Sequence, residues 1–247
     1  MKRSWWVGAT LMICLAAAAL PAEAQRYGRG RDYGRRGYEH YGNEQSVRLR
    51  LGLFTPDGDS DFFADTERDF TGDAKEFEDV AGGIDYVFDI QRNFGLMLSA
   101  DYFEGQQDQS YRNFTDNRGN RIQHTTTLEI TPVTVGLIVK LAPDQAPVVP
   151  YVGGGGGIYA WRYRESGDFI DFGGSTLPVF SDTLEDTGAV LGYYVMAGLE
   201  IPISPYFSFF GEGRWDKADD ELGGDFDGLG TLDLSGRRVM GGLAWHF

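Results

Sequence analysis

From residue 46 to the C-terminus, apolar and polar residues alternate in eight separate segments. The last is the plainest. Val239, Gly241, Leu243, Trp245 and Phe247 take its odd positions, and Arg238, Met240, Gly242 and His246 its even ones. A period of two puts the sets on opposite faces of an extended strand. The segment before it sets Phe207, Phe209 and Trp215 against Ser208, Glu212, Arg214 and Asp216. In 46–55, Leu49, Leu51 and Leu53 alternate with Arg48 and Arg50; in 77–90, Ile84, Tyr86 and Phe88 alternate with Gly83, Asp85 and Val87. Leu96, Leu98, Ala100 and Tyr102 alternate with Met97, Ser99 and Asp101 in 94–104. In 124–141, Val133, Val135, Leu137, Val139 and Leu141 alternate with Thr134, Gly136, Ile138 and Lys140. Tyr159, Trp161 and Tyr163 alternate with Ala160, Arg162 and Arg164 in 150–164. In 189–203, Leu191 through Ile201 alternate with Gly192, Tyr194, Met196, Gly198 and Glu200. Leu128 and Ile130 fall on the other parity, which predicts a bulge near Pro132, where proline is tolerated.

The polar faces are sparse mixtures of opposite charges among small residues, as suits the inside of a barrel whose apolar side meets lipid. The connections agree. Long ones (56–76, 105–123, 165–188, 217–233) alternate with short ones (90–93, 142–149, 202–205). Up-and-down membrane barrels produce that alternation, with long extracellular loops and short periplasmic turns. A soluble barrel would expose the Leu and Val faces to water. The expected fold is therefore all-β: an eight-stranded antiparallel up-and-down transmembrane β-barrel over 46–247.

The N-terminal residues read differently. Lys2 and Arg3 precede an apolar stretch from Trp5 to Leu20, and Ala22-Glu23-Ala24 has the small-x-small form of a cleavage site. Residues 1–24 are expected to be a signal peptide, and they contain the single cysteine, Cys14. Residues 25–45, rich in Arg, Gly and Tyr with no aliphatic side chain, read as a flexible periplasmic leader.

Charge sharpens this picture. The net charge is −15, which argues against a nucleic-acid partner. The surplus lies in the loops: 56–76 carries eight acids against Arg68 and Lys75, and 165–187 carries six acids and no base. The walls are left nearly neutral. By parity the lumen receives Arg48, Arg50, Lys140, Arg162, Arg164, Arg214 and Arg238, together with Asp85, Asp101, Glu200, Glu212 and Asp216. Charges this closely balanced are expected to pair, because an eight-stranded interior is just filled by side chains and an unpaired buried charge is costly. Glu212 is the expected partner of Arg238 by register, with Asp85, Asp101 and Glu200 as alternatives across the interior. Small residues at Gly136, Gly156, Gly192 and Gly198 leave room for a second possibility, a small channel.

The terminal Gly241-Gly-Leu-Ala-Trp-His-Phe247 resembles the C-terminal signature of Gram-negative outer-membrane barrels, read by the barrel-assembly machinery through residues such as Trp245 and Phe247. Pro150–Tyr159 and Gly198–Ser204 are similar to recurrent stretches of the eight-stranded outer-membrane β-barrel domain family, with its small OmpA-like, OmpX-like and OmpW-like members. The resemblance implies a cell outer membrane location, with outer-membrane lipid and lipopolysaccharide as neighbours. His124-Thr-Thr126 is similar to the His-x-Ser of outer-membrane lipid A deacylases, but threonine replaces serine and no third member can be assigned. Asp57-x-Asp59-x-Asp61 resembles the opening of a calcium loop, but Phe62 stands at the glycine position and no Glu closes it. No catalytic residue, metal site or cofactor is expected. The expected function is a structural or surface-interaction barrel, not an enzyme, with a charge-paired, mostly closed lumen and acidic loops for an unknown extracellular ligand. The alternative is a small OmpW-like channel for small or apolar molecules.

Overall fold

The computed structural model describes residues 45–116, 118–143, 146–171 and 178–247. The expected export segment 1–24 and leader residues 25–44 lie outside the described residues. Strands β1 (Gln45–Pro56), β2 (Asp79–Gln91), β3 (Phe94–Thr115), β4 (Arg121–Lys140), β5 (Val149–Ile170), β6 (Val179–Ser204) and β7 (Phe207–Lys217) follow one another along the chain. A short hairpin of β8 (Asp219–Glu221) and β9 (Thr231–Asp233) then precedes β10 (Gly236–His246). Strands β1 to β7 and β10 form a closed ring of eight, each antiparallel to its neighbours. The ring closes where β10 pairs with β1, from Ser46↔His246 to Pro56↔Gly236.

Alternation sets the two surfaces of the wall. Leu49, Leu51, Leu53, Val133, Val135, Leu137, Val195, Leu199 and Val239 point outward and stay exposed, forming an apolar belt. Leu191, at 80 % exposed, is the extreme case. Only lipid makes such a belt favourable, since water would be ordered against it. The even positions of β1, β4, β6, β7 and β10 and the odd positions of β2, β3 and β5 turn inward.

Four strands outrun the others. β2 pairs with β3 only as far as Ala81↔Phe103, and β7 with β6 only as far as Tyr193↔Lys217. β3 to β6 therefore continue as a four-stranded wall beyond the belt. Its outer face carries Glu129, Arg162, Arg164 and Glu185, and so belongs in water. Helix α1 (Asp61–Asp69), the 3₁₀ turn Ala74–Phe77 and the β8–β9 hairpin complete the enclosure on the other side. Ser60 caps α1 by accepting from the Phe63 amide at 3.4 Å, and the helix buries Phe62, Phe63 and Thr66. Phe62 meets Tyr163 edge-on at 5.2 Å, and Phe226 meets Tyr163 at 5.2 Å. With Phe77, Leu128, Ile130, Trp161 and Leu232 they make an apolar core above the membrane.

Three sequence expectations need correction. No bulge occurs at Pro132: Ile130↔Trp161 and Val133↔Ile158 belong to one unbroken register. The ladder to β3 omits the Asp101 and Tyr102 pairs opposite Pro132 and Thr131, yet resumes in the same register. Leu128 and Ile130 keep the inward parity of Thr134 and Gly136; what changes is the chemistry of the interior they face. Much of 105–123 and 165–188 is strand, not loop. Finally, 56–76 is not merely a solvated acidic loop, because α1 packs its aromatic side chains inward.

Candidate functional site

The lumen holds the densest chemistry. Strand β1 supplies Arg48 and Arg50, β2 Asp85, β3 Asp101, β7 Glu212, Arg214 and Asp216, and β10 Arg238. None of the eight is more than 5 % exposed. Arg50 contacts three carboxylates: Asp85 at 2.9 Å, Asp101 at 2.8 Å and Glu212 at 2.9 Å. Asp101 in turn accepts from Arg214 at 3.3 Å and Arg238 at 3.0 Å. Asp216 joins Arg214 at 2.9 Å and Arg238 at 3.2 Å. Arg238 thus pairs with Asp101 and Asp216 rather than Glu212, because Glu212 sits lower on β7 and is engaged by Arg50 and, at 3.6 Å, by Arg48. Four guanidinium groups therefore meet four carboxylates, a set with no net charge.

Aromatic side chains finish the packing. Tyr151 hydroxyl lies 2.6 Å from Arg48 Nη2 and donates to Glu212 Oε2 at 2.7 Å, while Tyr159 donates to Asp216 at 2.7 Å. Arg48 stacks over Phe210 at 3.9 Å and Arg214 over Tyr194 at 3.7 Å. Delocalised guanidinium groups suit such faces. The inward glycines receive these rings: a Cβ at Gly136 would overlap the Tyr194 hydroxyl, and one at Gly198 the Tyr151 ring. A Cβ at Gly192 would crowd Tyr159. Gly156, on the outward parity of β5, contributes nothing to the lumen. Tyrosine into a facing glycine was the feature missed from sequence; only strand register reveals which glycine faces which ring.

Of the other four expected lumen residues, Lys140 and Glu200 do face inward but lie at the end of the barrel nearest the short turns, away from this cluster. There Lys140 pairs with Asp89 at 2.8 Å and Glu200 with His246 at 3.1 Å. Arg162 and Arg164 are outside the barrel. They reach Glu129 and Glu185, at 3.4 Å and 2.6 Å in the closest contacts, on the wet face of the projecting wall. Their even parity on β5 is outward, since Tyr159, Trp161 and Tyr163 point inward; the aromatic triplet is a core stripe and not a lipid belt. Trp245 and Phe247 are partly exposed on the outer surface, ring centroids 5.2 Å apart, and the Phe247 amide bonds to Gln45 at 2.9 Å.

Above the belt, the inner face of β4 buries His124 and Thr126. Neither is a nucleophile–base pair in geometry: no hydrogen bond joins them, and the imidazole lies between Phe169, stacked at 5.4 Å, and Phe70, edge-on at 4.7 Å. Burial pushes the His124 pKa down to about 4, so the ring is neutral. Glu165, across from Thr126 on β5, is pushed up to about 7 by burial, an effect partly offset by the hydroxyl of Tyr163 at 2.8 Å. Asp57 pairs with Arg237 at 3.2 Å and Asp233 caps the Asp59 amide at 2.9 Å. Among the described residues no three His, Cys, Asp or Glu side chains are grouped to hold a metal ion.

No curated protein sequence matches the chain. Among solved structures it is similar to neisserial surface protein A, at 11 % identity with TM-score 0.46, covering 83 % of this chain and 98 % of that one. It is also similar to the N-terminal β-barrel domain of Pseudomonas aeruginosa OprF, at 11 % identity and TM-score 0.38, with 83 % and 98 % covered. Escherichia coli outer membrane protein W aligns at 15 % identity and TM-score 0.37 over 84 % of this chain and all of that one. Residues 7–247 match the model of the outer membrane protein beta-barrel domain, and the chain belongs to that outer-membrane family.

Proposed function

We propose that this protein is a non-conducting outer-membrane barrel that serves as a structural and surface-interaction element, with its projecting wall and acidic loops facing the exterior. The observation that carries the reading is the lumen set of four arginines and four carboxylates, neutral and buried. Hydrated ions would have to displace pairs whose members, once separated, are left charged in a poorly solvated space. The tyrosines seated over Gly136 and Gly198 fill space that the inward glycines would otherwise leave open, which supports the closed reading over a channel. Within this reading residues 1–24 direct export, Trp245 and Phe247 present the strand end to the assembly machinery, and lipid with lipopolysaccharide surrounds the belt.

Planar-bilayer recording of the purified protein tests it. The wild type is expected to give no unitary current, and Glu212→Gln, which withdraws the carboxylate beside Arg48 and one of the three that hold Arg50, to give small steps. Steady wild-type conductance would overturn the closed lumen in favour of the channel.

A further inference from the structure

One group of buried polar side chains has no part in the lumen network. On the inner face of the projecting wall, Gln107 and Gln109 of β3 stand directly opposite Thr126 and His124 of β4, and Glu165 of β5 stands next to Thr126. All five are less than a tenth exposed. Gln107 Oε1, Gln109 Oε1, Thr126 Oγ1 and both ring nitrogens of His124 are buried with no hydrogen-bond partner among the described residues. Buried polar groups are in general almost always satisfied, so five such atoms in one row need an explanation.

The row is covered by residues 70–73, a strap of the β1–β2 connection. Gly72 lies so close over the two glutamine carboxamides that a Cβ there would overlap both. The strap is tied to the edge of β3 by Thr71 N–H donating to Ser110 O at 3.0 Å, Ser110 N–H donating to Thr71 Oγ1 at 3.1 Å, and a bridge between Phe70 and Tyr111. Beyond that bridge β3 has no neighbouring strand on this side. A closed strap keeps water from the unsatisfied atoms; a lifted strap exposes them to the exterior.

We propose that the row beneath the 70–73 strap is a binding site for a neutral saccharide, which gives the surface-interaction reading above, on which it rests, a ligand class. The donor and acceptor inventory selects that class. Two carboxamide oxygens only accept, while a neutral imidazole offers one donor and one acceptor. Adjacent sugar hydroxyls both donate and accept, and so suit the carboxamide oxygens, the imidazole and the Thr126 hydroxyl alike. An anion would face two carbonyl oxygens, a cation would leave the imidazole N–H unmet, and an apolar ligand would satisfy nothing. The low pKa of His124 keeps the ring in the neutral form this pairing needs. Phe169 stacks on the imidazole and fixes the plane in which its two nitrogens are presented. Because the row faces the interior of the projection, away from the bilayer, the ligand is a free saccharide rather than a glycolipid headgroup.

The test uses the full chain in detergent micelles, with Cys14→Ser and the pair Thr71→Cys and Ser110→Cys, whose hydroxyl oxygens lie 3.3 Å apart. Maltotriose binding is followed by saturation-transfer NMR and calorimetry. Reduced protein is expected to bind it, and oxidised protein, with the strap locked, at least tenfold more weakly. Gln109→Leu is expected to abolish binding and raise the unfolding temperature, because it removes an unsatisfied group; a satisfied structural glutamine would lower it. Equal binding by oxidised and reduced forms overturns the proposal. So does failure of maltotriose, raffinose and chitotriose alike to bind the reduced form. Displacement of maltotriose by lipopolysaccharide would assign the site to a headgroup and overturn the free-saccharide source. The lumen reading fails by a separate measurement, conductance, so the two outcomes are distinguishable.

Discussion

The barrel has two interiors. Below the level of Phe54 and Phe103 the inward positions carry arginine, aspartate, glutamate and tyrosine; above it they carry Leu128, Ile130, Trp161, Tyr163 and the phenylalanines of the connections. The same strands and the same parity supply both. What differs is the solvent outside. Where lipid surrounds the wall, the apolar residues are drawn outward and the interior is free to be polar, provided its charges neutralise one another. Where water surrounds it, Glu129, Arg162 and Arg164 take the outer face, and the interior is an apolar core up to the polar row at Gln107, Thr126 and Glu165. One strand, β4, passes from one regime to the other without changing register.

The strongest test of this contrast is Asp101→Asn, which withdraws the carboxylate shared by Arg50, Arg214 and Arg238. It is expected to cost roughly 3–5 kcal/mol, the usual consequence of stranding a buried charge. The readout is the urea midpoint of the folded, heat-modifiable band on gels, and an unchanged midpoint would show that the network is solvated. Phe62→Ala, in the upper interior, should cost about 3–4 kcal/mol as a buried aromatic deletion. Its effect should stay local: limited proteolysis within 57–78 accelerates while the barrel band persists. If the barrel band is lost with it, the two interiors form one cooperative unit.

Glu165 separates them by pH. Its folded pKa of about 7 lies above the ordinary 4.5, so the folded state holds its proton through that window and loses stability as pH rises across it. Glu165→Gln stays neutral and should be more stable than the wild type at pH 8, by an amount on the order of 3 kcal/mol. The difference should vanish by pH 4.5, as checked by thermal scans at both values; a difference independent of pH would remove burial as its cause. His124 acts in the opposite sense, destabilising as pH falls below its ordinary 6.5, and is common to both proteins. The smallest effect belongs to Arg162→Ala on the wet face, at most about 1 kcal/mol by the same scan.

The membrane half of the fold was legible because lipid enforces strict alternation: Leu49, Leu51 and Leu53, or Val239 and Leu243, could be assigned to a face from period two alone. The eight lumen charges followed from the same parity. The upper half was misread for a physical reason. Tyr159, Trp161 and Tyr163 look alike whether they face lipid or fill a core, so period two alone does not say which side of the wall Arg162 and Arg164 take. The extension of β3 was hidden because both of its faces are polar, with Gln107 and Gln109 inside and Gln106 and Asp108 outside. Helix α1 did leave a trace, Ser60-Asp61 ahead of Phe62 and Phe63, which reads as a helix start once acidity alone is not taken to mean a loop. Which carboxylate meets which arginine depends on register and height, and no periodicity encodes it.

The seam between β1 and β10 has a consequence for the order of events in assembly. Leu49 faces Leu243, so the closing ladder joins the two ends of the described barrel and is the most non-local contact in it. Loop-closure entropy rises only slowly with length, so this pairing is thermodynamically affordable, but high contact order makes it slow. Until it forms, β1 and β10 are two bare edges, each able to take a strand from another chain. The interval before closure is therefore when misassembly competes with folding, and dilution or faster delivery of the last strand should protect the yield more than any added stability in the finished wall.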